Sequence, residues 1–301
     1  MSDAAKSAYE ATVARLTAIR AHLESAPRRG RLAGKVAVVT GAGSRSGIGR
    51  AAATLFAHEG ARHVYCLDFD ASNFEELAQL LNKRYPDVKV TTHECDAADE
   101  MAIKDICQRA LKEEGQLDVF FANAAVASAA PIVATDAEDV MEIFRINVSS
   151  CFHAVKYASA AMKVTSARKP APGGSIVLTA SVAGLRSGAG SADYSASKAS
   201  VISLAQTSAW QFGGTGVRVN AVCPGLIETG MTLPVFESAK ERGTAAKIGQ
   251  LNPTKRYGAA EEIANAVLFL ASDEASYVNG IAMPVDGGLS ASHPVMPGKL
   301  A

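Results

Sequence analysis

The chain has 301 residues, enough to bury one large core, and 30 Lys and Arg balance 30 Asp and Glu. That balance gives no electrostatic basis for binding nucleic acid or an anionic membrane. Apolar residues reach 48%, yet no run approaches the roughly eighteen needed to span a bilayer, and the start of the chain lacks the pattern of a signal peptide. The five cysteines (Cys66, Cys95, Cys107, Cys151, Cys223) are scattered and form no C-x-x-C pair, and the six His are isolated. Disulfide and metal sites are therefore not expected, and a reducing cytoplasm is.

In chain order, Val13, Leu16, Ile19 and Leu23 recur at helical spacing and predict an amphipathic helix over 5–24, broken by Pro27-Arg-Arg-Gly30. Residues 1–30 thus form an N-terminal helical extension, expected to dock on the body or on a neighbouring subunit, and 31–301 the main domain. From Lys35 onward, apolar strands alternate with helices. The predicted strands are Val36–Thr40, Val64–Asp68, Val88–Cys95, Leu117–Ala122, Ser175–Ala180, Val217–Cys223 and Ile281–Val285. Helices start near Ile48, Asn73, Asp99, Ala137, Ala192 and Ala259. Strands that are apolar throughout, each followed by a helix, imply a parallel sheet covered on both faces. The fold class is α/β, a doubly wound Rossmann-type sheet.

After the first strand comes Thr40-Gly-Ala-Gly-Ser-Arg-Ser-Gly-Ile-Gly-Arg50. Glycines at a strand-to-helix turn let the backbone approach a pyrophosphate, and the helix start beyond them offers unpaired N–H groups. The G-x-G-x-x-G spacing fails at Ser46, and no Lys follows as in a P-loop. A tight turn without a ligand is the plain alternative. Asp68, at the end of the second strand, suits the ribose hydroxyls of a dinucleotide; it is also compatible with a helix cap, as is Asp70. Asp96 suits either adenine or a cap.

Ser181 closes the strand Ser175–Ala180, and thirteen residues later stand Tyr194 and, at i+4, Lys198. On one helix face the ammonium would lie beside the phenol and lower its pKa, making Tyr194 a general acid/base near neutral pH. A second Tyr-x-x-x-Lys, Tyr85 to Lys89, contains Pro86 and leads into a strand; it is read as surface.

With these elements in order, residues 31–291 resemble the short-chain dehydrogenase/reductase family. Arg31-Leu-Ala-Gly-Lys resembles its lead into the first strand, and Phe121-Ala-Asn-Ala-Ala125 its Asn-Asn-Ala-Gly segment. Arg145-Ile-Asn-Val, Pro224-Gly-Leu-Ile-Glu-Thr229 and Val285-Asp-Gly-Gly288 match further family segments. Two features depart from the pattern: five residues, not three, separate Gly41 from Gly47, and Ala122 and Ala125 replace an Asn and a Gly.

The resemblance implies a catalytic set of Asn147, Ser181, Tyr194 and Lys198. It implies cofactor contacts from Gly41, Ser44, Arg45, Gly47 and Ile48, from Asp68, Asp96 and Asn123, from Tyr194 and Lys198, and from Pro224, Gly225, Ile227 and Thr229. Tyr194 would exchange a proton with the substrate oxygen, Ser181 would hold that oxygen, Lys198 would bind the nicotinamide ribose, and Asn147 would link Lys198 to solvent through a water. The implied activity is NAD(P)(H)-dependent interconversion of a secondary alcohol and a ketone. An NADP(H)-dependent ketoreductase of the 3-oxoacyl or biosynthetic type is the alternative. A non-catalytic dinucleotide-binding sensor or assembly subunit is the reading from another class.

Asp68 would repel a 2′-phosphate and favours NAD(H), with Arg45 as the feature that leaves NADP(H) open. The expected partner is a small carbonyl or alcohol. A homotetramer or homodimer is expected through the helices around Asn147–Met162 and Ala192–Phe212, whose small residues Ala158, Ser159, Ala160, Ala161, Ala199 and Ala205 would allow close approach. Residues 230–243 would form a lid over a partly apolar pocket, or pack on the core. The substrate itself is not legible.

Overall fold

Seven parallel strands run β1 (Val36–Thr40), β2 (His63–Asp68), β3 (Lys89–Glu94), β4 (Val119–Ala122), β5 (Gly174–Thr179), β6 (Val217–Pro224) and, last in the chain, β9 (Ala282–Val285) in a computed structural model that describes residues 3–292. Their spatial order is β3-β2-β1-β4-β5-β6-β9. A short parallel pair, β7 (Ile227–Glu228) with β8 (Gly258–Ala259), lies apart from the sheet. The helices are α1 (Asp3–Ser25), α2 (Ile48–His58), α3 (Phe74–Arg84), α4 (Glu100–Glu114), α5 (Ala137–Phe144), α6 (Ser150–Met162), α7 (Ala192–Gln211), α8 (Leu233–Glu241) and α9 (Ala260–Ala271).

The strand sequences account for the layering. In β1, Val36 and Val38 enter one apolar cluster while Ala37 and Val39 enter another, because successive side chains point to opposite faces. The first cluster packs Ile103, Ile106, Ala154 and Val201 from α4, α6 and α7; the second packs Phe56, Leu77, Leu81, Ile263 and Leu268 from α2, α3 and α9. Each fully buried Phe or Leu there contributes roughly 1.5–3 kcal/mol relative to exposure. Helices on both faces are what a sheet with no wet side requires.

The predicted helix starts at Asn73 and Asp99 lie one residue before α3 and α4; the Asp99 carboxylate caps α4 by accepting from the Met101 and Ala102 N–H groups, whereas Asn73 makes no side-chain cap bond. The strands predicted at Val88–Cys95 and Leu117–Ala122 are shorter, because pairing with β2 covers only Lys89–Glu94 and pairing with β1 begins at Val119. Tyr85, read as a surface residue, is only 6% exposed and belongs to the second core cluster, since its ring packs at the end of α3; Lys89 is exposed and pairs with Glu113 and Glu114. Asp70 does not cap α3 but accepts from the Ser72 N–H.

The predicted N-terminal helix forms. Its Leu16 is buried against Phe236, Tyr257 and Ala259, while Arg20 pairs with Glu228. Val13, expected on the docking face, is 39% exposed, and the side chain of Leu23 lies outside the described residues. The segment 230–243 is largely helical, and Phe236 in α8 packs inward while Leu233 and Val235 remain exposed. No described helix is long and apolar enough to cross a membrane.

Candidate functional site

Strand order reverses between β2 and β4, on either side of β1, and in open parallel sheets that switch point carries the ligand crevice at the strand C-termini. A cavity of about 690 Å³ opens there, within the range of small-molecule sites. Gly41, Ser44, Gly47, Ile48, Asp68, Asp96 and Asn123 line one side of it. Ser181, Tyr194, Lys198, Pro224, Gly225, Ile227 and Thr229 line the other. Two predicted residues do not line it, Arg45 and Asn147.

The glycine turn is held by contacts that side chains would block. Gly41 has φ +70°, and a Cβ on Gly49 would collide with the Gly41 carbonyl, so α2 approaches β1 only because that position is bare. Gly47 caps α2 with no side chain, leaving the first-turn N–H groups without a capping acceptor. Such an end suits a phosphate oxygen. Gly43 lies within the enlarged turn, and its N–H donates to Asp68 Oδ2 at 2.7 Å while the Asp70 N–H donates to Oδ1 at 3.0 Å. Asp68 is thereby fixed, with carboxylate lone pairs left to accept hydroxyl hydrogens.

Arg45 points elsewhere. It is mostly exposed and binds Glu76 on α3, its Nε donating at 2.8 Å. Asp96 accepts from the Ala98 N–H and pairs with Arg145 at 2.7 Å; Arg145 also grips Glu142, and both line the cavity. Asp96 is therefore not the cap of α4. The bare cradle at Gly41 and Gly49, the uncapped start of α2 and the fixed carboxylate of Asp68 fit a dinucleotide.

Asn123 gathers the strand ends. Its Nδ2 donates to the carbonyls of Thr40 and Gly41, and its Oδ1 accepts from Thr179 Oγ1 at 3.1 Å. The Thr179 carbonyl accepts from Lys198 Nζ at 2.9 Å. Lys198 is 1% exposed, and burial pushes its ammonium down to about 8, partly offset by the neighbouring thiols of Cys151 and Cys223. Its Nζ stands 5.6 Å from the centre of the Tyr194 ring.

The expected lowering of the Tyr194 phenol is not what the protein's own groups produce. Burial pushes it above its ordinary value, and the hydrogen bond with Ser181 pulls back only in part. Desolvation dominates because the charged phenolate is the species that burial penalises.

Asn147 is fully buried on a single π-helical turn, Arg145–Ser149, between α5 and α6. Such turns recur at functional sites. Its Oδ1 accepts from the Val126 N–H, and its Nδ2 donates to the Val126 carbonyl and to Ser197 Oγ; Ser197 Oγ in turn donates to the Tyr194 carbonyl at 2.7 Å. Asn147 makes no direct bond to Lys198; it holds the turn of α7 from which Tyr194 and Lys198 project. Gly43, Thr179, Arg145 and Ser197 are the contributors that sequence reasoning missed. Gly43 alone had a signal, its place inside the enlarged turn.

Residues 41–290 match a family model described as enoyl-(acyl carrier protein) reductase. Levodione reductase of Leifsonia aquatica is 34% identical over 267 residues, covering 87% of this chain and 97% of that protein. The 3-oxoacyl-acyl-carrier-protein reductase FabG of Thermotoga maritima is 38% identical over 259 residues, covering 86% and 99%. Meso-2,3-butanediol dehydrogenase of Serratia marcescens is 34% identical over 258 residues, covering 86% and 95%. The crystal structure of levodione reductase superposes with a TM-score of 0.78 at 32% identity, over 87% of this chain and all of that one. Fold and relatives agree: the chain belongs to the short-chain dehydrogenase/reductase family and is an oxidoreductase acting on CH–OH and C=O groups with NAD or NADP.

Proposed function

We propose that the protein is an NAD(H)-dependent dehydrogenase/reductase that interconverts a secondary alcohol and a ketone, with Tyr194 as general acid/base. One observation carries the reading: Ser181, Tyr194 and Lys198 line the same cavity as Asp68 and the glycine turn. A bound nicotinamide dinucleotide would supply the hydride. Gly41, Ser44, Gly47 and Ile48 would hold its phosphates, Asp68 its adenosine ribose, Asp96 its adenine, and Asn123, Lys198, Pro224, Gly225, Ile227 and Thr229 the nicotinamide half.

Tyr194 Oη gives its proton to the carbonyl oxygen in reduction and takes it back in oxidation. Ser181 Oγ donates to that oxygen and stabilises the charge developing there. Lys198 stays fixed by the Thr179 carbonyl, its charge favouring the phenolate left behind by proton transfer. Asn147, through Ser197, keeps the α7 turn in register. Val126, Ile146 and Met231 also line the cavity, and these apolar side chains favour an uncharged ketone or alcohol.

Tyr194→Phe retains the ring and removes the proton, so turnover should fall by about 10²–10⁴ while dinucleotide binding survives. Steady-state kinetics beside a binding titration decide this. A variant keeping a tenth of the wild-type rate would contradict the assignment, and a wild type that turns over no carbonyl would favour a non-catalytic sensor.

Asp68 supports NAD(H), because a 2′-phosphate beside that carboxylate meets like-charge repulsion while Arg45 is engaged by Glu76 outside the cavity. The ratio of kcat/KM for NAD(H) over NADP(H) should exceed one in the wild type and drop at least tenfold in Asp68→Ala. A wild-type preference for NADP(H) would overturn the cofactor assignment.

A homotetramer or homodimer through α6 and α7 fits the exposed Phe152 and Trp210, at 54% and 83%. Ala158, Ser159, Ala161 and Ala205 are buried within the chain itself, so only Ala160 and Ala199 of the small residues face outward. The free cysteines support a reducing compartment such as the cytoplasm. Light scattering at micromolar concentration should give a multiple of the 31.2 kDa chain mass; a monomer mass would refute the assembly.

A further inference from the structure

Helix α1 lies outside the span that matches the family model, residues 41–290, yet it grips the strand that leads into the dinucleotide cavity. Leu16 and Arg20 stand one turn apart on one face of it. Leu16 is 2% exposed and packs with Phe236 of α8, Ala259 of β8 and Tyr257, and the Phe236 and Tyr257 rings meet edge to face at 4.8 Å. Arg20 Nη2 donates to Glu228 of β7 at 3.1 Å, and its Nε lies 3.7 Å from Glu261 of α9. One face of α1 thus ties together β7, β8, α8 and α9.

The small sheet needs that support. β7 and β8 have two residues each, and a pair so short has little stability of its own. Ile227 and Thr229 line the cavity while Glu228 between them does not, because successive residues of a strand point to opposite sides. Arg20 therefore holds this strand by its outer side chain. Beyond Glu228 the chain closes on itself: the Thr229 N–H donates to Thr232 Oγ1 at 3.0 Å, and Thr232 Oγ1 donates to the Ile227 carbonyl at 2.6 Å. The same segment abuts the glycine turn, since a Cβ on Gly230 would stand 3.0 Å from Ser44 Oγ. A shift of Glu228 is thus carried to Thr229 and Gly230 as a unit.

We propose that Leu16 and Arg20 are positioning residues of the dinucleotide site: α1 clasps β7, β8 and α8 from outside and so sets the affinity for the nicotinamide half of the cofactor, which rests on Ile227 and Thr229 being nicotinamide contacts. The side chains of Arg20 and Glu228 are 39% and 35% exposed, so their pair adds little to global stability. Its effect is on local opening of the segment that follows Glu228.

The test compares the full-length wild type with Arg20→Met and Leu16→Ala in two measurements. Amide hydrogen exchange across 226–241 should quicken about tenfold in each variant, while exchange in β5 and β6 keeps the wild-type rate. In calorimetric titrations NADH should bind about fivefold more weakly to each variant, whereas ADP-ribose, which lacks the nicotinamide ring, should bind as it does to the wild type. Arg20→Met should unfold at the wild-type temperature, so that loss of affinity is separable from loss of fold. Unchanged exchange at 226–241 in both variants would overturn the clasp, as would equal weakening of NADH and ADP-ribose, the mark of a general loosening. A wild type that binds neither ligand would instead refute the dinucleotide reading of the cavity.

Discussion

A lysine ammonium enclosed by protein, with one backbone carbonyl to receive it, is the constraint on which the site depends. Lys198 is 1% exposed and donates to the Thr179 carbonyl. Its displacement from 10.5 to about 8 corresponds to about 3 kcal/mol against the charged form, so one hydrogen bond does not recover what desolvation removes. A buried charge tolerates that deficit only where the acceptor is rigidly held. Thr179 is held: it ends β5 opposite Val222 of β6, and its hydroxyl donates to Asn123. Asn123 continues to the carbonyls of Thr40 and Gly41. The glycine turn and the buried lysine are thus ends of one hydrogen-bonded line across three strand termini.

The second line runs through Asn147. From its π-helical turn it grips the backbone at Val126 on one side and Ser197 on the other, and Ser197 reaches the Tyr194 carbonyl. Tyr194 and Lys198 are therefore fixed from two directions, by strand ends beneath and by the α5–α6 junction beside them. Side chains held in this way lose little on entering a reactive geometry, which is how a protein contributes to chemistry that a cofactor carries.

Much of this was legible in the sequence because its signals are local. Alternating apolar strands and helices specify a doubly wound sheet, the glycines follow the first strand directly, and Tyr194 and Lys198 share a helix face by spacing alone. What stayed hidden depends on partners remote in sequence. Nothing around Arg145 shows that Asp96 will be its partner, nor does anything around Gly43 show that its N–H meets Asp68. Tyr85 looked like a surface residue because Pro86 ends its helix, yet the ring turns inward. The proton states were misjudged for the same reason: spacing places a cation near a phenol, but only the folded interior tells how much water both groups lose.

That loss of water fixes the sign of the pH response. The phenol stays protonated across the range in which Lys198 changes charge, because burial raises Tyr194 and lowers Lys198 towards about 8. Ketone reduction needs the phenol as donor and the ammonium beside it, so both are in place below about 8 and the charge is lost above. The pH dependence of kcat/KM for ketone reduction, from pH 6 to 10, tests this most directly. A plateau on the acid side and a decline through about 8 is the predicted result; a rate that climbs through that range would contradict the account.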